Sequence, residues 1–153
     1  MNYDLIVSSK GSGVEIALLR DKQLIEFHQD DGSASYQVGD LYFGRIQRTM
    51  PGLNAAFINI GHKKDGFLHY LDLGPQVKSL LRFTELVRSG KMKNYSLHNF
   101  KPEGDIQKDG KIADMLKTGT QMLVQVAKEP ISTKGPRVTS EISLAGKYMV
   151  LVP

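Results

Sequence analysis

The residues best suited to chemistry lie in Asn54-Ala55-Ala56-Phe57-Ile58-Asn59-Ile60-Gly61 and Asp65-Gly66-Phe67-Leu68-His69-Tyr70. Side chains of contrasting type alternate in both runs, which is the two-residue period of an extended strand. If Ile58, Ile60, Leu68 and Tyr70 point into a core, then Phe57, Asn59, Phe67 and His69 point outward. Two outward rings on neighbouring strands, beside His62, Lys63 and Lys64, form a stacking platform with cations at its rim. Such a platform suits single-stranded nucleic acid, because every base has a π-face and each stacked base contributes about 1–3 kcal/mol. The opposite phase also satisfies the alternation: Phe57 and Phe67 inside, their aliphatic neighbours outside, since phenylalanine is commonly a core residue.

Lys128 and Lys134 flank the turn Glu129-Pro130-Ile131-Ser132-Thr133, where lysine acts as a mobile point charge for phosphate without sequence choice. Arg137 and Thr139 share a strand face with Glu141, either for phosphate contact or as solvated surface. Hydrolytic machinery is not legible. Metal-assisted phosphodiester cleavage needs clustered carboxylates. Asp30-Asp31 instead has turn chemistry beside Gly32, and Asp105 and Asp109 fall in a polar stretch. The four histidines have no ligand spacing, and the absence of cysteine excludes thiolate catalysis, thiolate zinc sites and disulfides. No serine occupies a Gly-x-Ser-x-Gly elbow. No cofactor or metal is expected in this chain.

The elements that must position these residues are mostly strands. Residues 2–29 read as three short strands, closed by turn chemistry at Asp30-Asp31-Gly32-Ser33. Leu41–Met50, Leu53–Ile60, Phe67–Tyr70, Gln121–Lys128 and Arg137–Leu144 read as five more. Glycine at the corners and no helix after each strand favour a small closed barrel over a parallel sheet. Residues 71–118 form an insertion with one amphipathic helix, started by Gly74-Pro75 and ended by Gly90. Its Val77, Leu80, Leu81, Thr84 and Val87 share one face. Lys91–Lys117, with Lys93, Tyr95 and Phe100, reads as a basic mobile loop.

At 153 residues the chain holds one medium domain and a small appendage. With 41% hydrophobic residues and a mean hydropathy of -0.26 it is neither a membrane protein nor wholly disordered. No run approaches ~18 apolar residues, and the opening Met-Asn-Tyr-Asp-Leu-Ile-Val is no secretory signal. The expected location is cytoplasmic. Charge is unevenly placed: residues 1–40 hold three basic and seven acidic side chains, the remainder 17 and nine. The net +8 from Leu41 onward attracts phosphate backbones.

Gly39-x-x-Tyr42-x-Gly44-x-Ile46, Ala55-Ala56-Phe57-Ile58-x-Ile60-Gly61 and Gly66-Phe67-Leu68-His69 resemble the S1-type RNA-binding domain, an OB-fold barrel. The wider series adds Arg48, Leu53, Val124-Gln125-Val126-x-Lys128-Glu129 and Lys134-Gly135. With Ile142-Ser143-Leu144-Ala145-Gly146-x-Tyr148-x-Val150-Leu151-x-Pro153 it resembles the amino-terminal part of the ribonuclease E/G family, from about Leu5 to Pro153. The resemblance implies a mainly β chain in three parts. Residues 1–36 are strands of an RNase H-like subdomain, 37–145 an S1-type barrel, and 146–153 the start of a 5′-sensor region. It implies RNA contact by Phe57, Phe67 and Lys134, with Lys128 nearby, and a 5′-monophosphate pocket lined by backbone at Gly146 and Val150. Lys63, Lys64, His69 and Arg137 complete the expected RNA-binding set. It further implies an endoribonuclease parent, homo-oligomeric, with Mg²⁺ aspartates and zinc-sharing cysteines beyond Pro153. On this reading the chain is inactive alone.

Two other readings use the same barrel: a stand-alone translation or transcription factor, and a protein-interaction module, since fold does not give function. The amino-terminal strands, lacking the rest of a sheet, are expected to pair with another chain through residues 2–29.

Overall fold

The computed structural model describes residues 1–10, 13–32, 36–92, 98 and 100–152. Ser33, Lys93, Tyr95 and Pro153, singled out above, lie outside them. The chain divides into two compact units, Met1–Ser35 and Tyr36–Pro153.

The first unit is an antiparallel meander of β1 (Tyr3–Lys10), β2 (Gly13–Arg20) and β3 (Gln23–Asp30). Asp21 and Lys22, at φ 48° and 69°, supply the two left-handed residues that a tight β2–β3 hairpin requires. Both faces of this sheet are apolar. Leu5 and Val7 lie across from Leu18 and Ile16, while Ile6 lies across from Ala17 and, beyond it, Phe27.

In the second unit β4 (Leu41–Met50), β5 (Ala55–Asn59), β6 (Gly66–His69), β7 (Gln121–Lys128) and β8 (Arg137–Thr139) close into a barrel. The order around the wall is β4-β5-β6-β8-β7, with β6 and β8 parallel. A five-stranded Greek-key barrel of this order is the OB fold. Its interior is filled by Ile46, Ile58, Leu68, Met122, Val124, Val126 and Val138, each at most 1% exposed. Each such side chain contributes about 1.5–3 kcal/mol on burial. Gly44 lets β4 and β5 close up, because a Cβ there would sit 2.7 Å from Ile58 Cδ1.

Between β6 and β7 runs the insertion, with α1 (Val77–Arg88) and the short α2 (Ile112–Met115). The chain leaves α1 through Gly90 at φ 69°. The expectation of a mobile loop over Lys91–Lys117 is corrected for its described carboxyl-terminal part. Phe100 meets Phe83 edge to face at 5.5 Å, and Glu103 pairs with Arg82. Tyr70 donates its hydroxyl to Gln107 O at 2.6 Å, and Ile112 and Leu116 are 0% and 1% exposed in the core. Asn54 pins the strap from afar: its amide donates to Gly110 O at 3.0 Å and its carbonyl accepts from Ile112 N at 2.7 Å.

The single strand expected over Arg137–Leu144 is two pieces. β8 stops at Thr139, Ser140 Oγ accepts from Gly74 N and Ser143 N donates to the buried Gln125 side chain. Those bonds to the insertion and to β7 replace a ladder. Beyond them β9 (Leu144–Ala145) pairs with β10 (Val150–Leu151). No helix among the described residues is long and apolar enough to cross a membrane.

Candidate functional site

The alternation in β5 and β6 resolves with the aliphatic side chains inside. Ile58, Ile60, Leu68 and Tyr70 are buried, whereas Phe57, Phe67 and His69 are half-buried and Asn59 exposed. Phe57 and Phe67 are direct partners across the antiparallel pair. Their rings meet edge to face, centroids 5.8 Å apart at 70°. In this arrangement the edge of one ring meets the negative face of the other, a preferred aromatic geometry.

The pair sits in the middle of a row that crosses the whole barrel wall. Strand register places Arg48 opposite Phe57, Phe57 opposite Phe67, Phe67 opposite Arg137, and Arg137 opposite Lys128. Both ends of the row depend on irregular pairing. The register shifts between Ile46 and Arg48 and again between Val126 and Lys128. Ile46 and Val126 are buried, so strict alternation would bury Arg48 and Lys128 too. An extra residue turns each side chain outward. Arg48 then lies over the Phe57 ring, Cζ 4.6 Å from its centroid. A guanidinium so placed is attracted by the ring quadrupole and still shows donors to an anion.

The lysines gather at the end of the barrel where two turns touch. Lys63 and Lys64 lie between β5 and β6, Lys128 and Lys134 flank the β7–β8 connection, and all four are exposed. A Cβ on Gly135 would stand 2.1 Å from Asp65 O, so glycine is what allows the two turns to meet. Lys134 N donates to Ile131 O at 3.0 Å, closing its own turn. His62 faces the Tyr36 ring edge-on at 4.6 Å, and its Nδ1 accepts from Lys64 N at 3.1 Å. His69 is two residues along β6 from Phe67, on the same face and opposite Ala55. Its Nδ1 accepts from Leu71 N at 3.1 Å and so caps a short turn.

Arg137 has a partner that its strand context did not announce. Its Nε and Nη2 donate to the two oxygens of Asp72, both at 2.8 Å. Asp72 is 16% and Arg137 42% exposed at the side chain. The hydrogen bonds and charge of Asp72 raise the guanidinium's already high pKa, so it stays ionised. Thr139 Oγ1 donates to Asp72 O at 2.7 Å, so two residues of the β8 outer face hold one aspartate. Gly146 and Val150 lie apart from the row, in the β9–β10 hairpin, where Gly146 N donates to Met149 O at 2.8 Å.

Arg48 and Asp72 are the members of this surface that residue spacing missed. Tyr36 and Tyr42 stack with centroids 5.0 Å apart, but on the other face of the wall, packed against the core. Burial raises the pKa of Tyr42, whose neutral hydroxyl donates to Asp40 at 3.1 Å. Among the described residues no three His, Asp or Glu side chains are grouped so that they could hold a metal ion.

No family model matches the chain. The chain is 31% identical over 153 residues to ribonuclease G of Salmonella typhimurium and, equally, to ribonuclease G of Escherichia coli K12. Each match covers 100% of this chain and 27% of the relative. It is also 39% identical over 122 residues to ribonuclease E of Synechocystis, covering 79% of this chain and 14% of that protein. The chain thus spans about a quarter of the length of the ribonuclease G relatives. Similar to ribonuclease G along all 153 of its own residues and to ribonuclease E along 122 of them, the chain belongs to the ribonuclease E/G family.

Proposed function

We propose that the Tyr36–Pro153 unit is an S1-type domain binding single-stranded RNA on its Phe57–Phe67 wall, within an endoribonuclease of RNA processing and degradation. The observation that carries this reading is the paired rings, half-exposed on the outer wall with the aliphatic side chains inside. Bases stack on the rings, and the exposed Lys63, Lys64, Lys128 and Lys134 take the phosphates as point charges. Arg137, its charge met by Asp72, holds the strand beside Phe67. Cleavage, with Mg²⁺ held by carboxylates, is assigned to stretches of ribonuclease E/G proteins that this chain does not span, and the place of action to the cytoplasm. The chain alone binds and does not cut.

Fluorescence anisotropy with a labelled 12-nucleotide uridine RNA tests this. Phe57→Ala and Phe67→Ala each weaken binding by about 1–3 kcal/mol. The logarithm of affinity falls with that of salt at about -0.7 per neutralised phosphate. Two folded variants that bind like the parent would remove the platform.

A further inference from the structure

The outer face of β4 carries more than Arg48. Arg45 lies opposite Asn59 on β5, and Phe43 opposite Leu123 on β7. Arg45 and Phe43 point outward, because Gly44 and Ile46 beside them are buried. Phe43 is 48% exposed, a large apolar surface on a wall whose next outward residue is a cation. Among the described residues neither Arg45 nor Arg48 pairs with a carboxylate, in contrast to Arg137. Two uncompensated guanidiniums are a poor surface for an apolar partner and a good one for a polyanion.

We infer that Phe43, Arg45 and Arg48 form the second half of the RNA track. A strand leaving the Phe57–Phe67 platform passes Arg48, lays phosphates along Arg45 and stacks a further base on Phe43. The inference rests on the RNA-binding reading above and adds its direction and length. At ~3.3 Å per residue, Phe43 lies about 16 Å along β4 from Arg48. Single OB barrels occupy about 4–16 nucleotides, so a track of this reach fits one barrel. Rings stand at both ends of it and the two guanidiniums lie between them, where phosphates joining the stacked bases would pass.

The test compares uridine RNAs of four and twelve nucleotides on the whole 153-residue chain. Phe43→Ala and Arg45→Gln replace outward side chains, and circular dichroism checks that both variants fold as the parent does. Each should leave four-nucleotide binding within about twofold, because an RNA at the lower limit of a barrel's site size seats on the ring pair first. Phe43→Ala should weaken twelve-nucleotide binding about five- to tenfold. Arg45→Gln should reduce the salt slope for the longer RNA by about 0.7. If both variants bind the longer RNA like the parent while Phe57→Ala loses the shorter one, the extension is overturned and the platform stands. Phe43 then belongs to a protein contact. If Phe57→Ala changes neither RNA, platform and extension fall together.

Discussion

Arg137 offers the sharpest separation between direct RNA contact and structural positioning. Its two 2.8 Å bonds to Asp72 form a fork, with the carboxylate 16% and the guanidinium 42% exposed. Two unit charges ~4 Å apart attract by about 4 kcal/mol at an effective dielectric of 20, before desolvation and entropy are counted. Exposed pairs retain only about 0–1 kcal/mol of this, whereas hydrogen bonds to charged groups retain about 1.5–3 kcal/mol. With one partner largely buried and the other screened by solvent, a coupling of about 1–2 kcal/mol is expected. Urea unfolding of the parent, Asp72→Asn, Arg137→Met and the double variant measures it as a double-mutant cycle. A coupling below about 0.3 kcal/mol would refute the fork as a stabilising contact. The double variant also removes one charge of each sign, leaving the net charge unchanged. Its RNA salt slope should therefore match the parent's. A slope reduced by about 0.7 would show Arg137 reaching a phosphate and sink the positioning role.

Two further outcomes test how the site is held. Gly135→Ala places a Cβ against the Asp65 carbonyl and should cost about 1–3 kcal/mol, read as a lower urea midpoint, with RNA binding weakened as Lys134 moves from Lys63 and Lys64. Asn54→Ala removes both bonds to the strap at Gly110 and Ile112 and should cost about 2 kcal/mol, with faster proteolysis confined to residues 100–116.

The barrel strands were legible because a wall with one buried face imposes a two-residue period. Ile58 and Leu68 inside, Phe57 and Phe67 outside, follow from that period once its phase is known. The helix was legible for a similar reason: twelve residues suffice to show an apolar stripe, and Gly90 marks its end. The strap was not. Its core anchors Ile106, Ile112 and Leu116 are scattered through polar sequence, α2 has only four residues, and its bonds come from Asn54, 56 and 58 positions away. The role of Arg48 was hidden differently, since it lies beyond a bulge that reverses the phase set by Ile46; Lys128, expected at the site from its turn, faces outward by the same device after Val126.

Residue order alone settled the all-but-complete barrel inventory, the uneven charge and the family likeness, because these rest on local periodicity and on residue types in series. Which face of the alternation met solvent was decided only in three dimensions, where closing the wall buried Ile58 and Leu68 and left Phe57 and Phe67 half-exposed. The same closure aligned Arg48, Phe57, Phe67, Arg137 and Lys128, drawn from all five strands, into one row. Register between distant strands is a property of their pairing, and no single segment carries it.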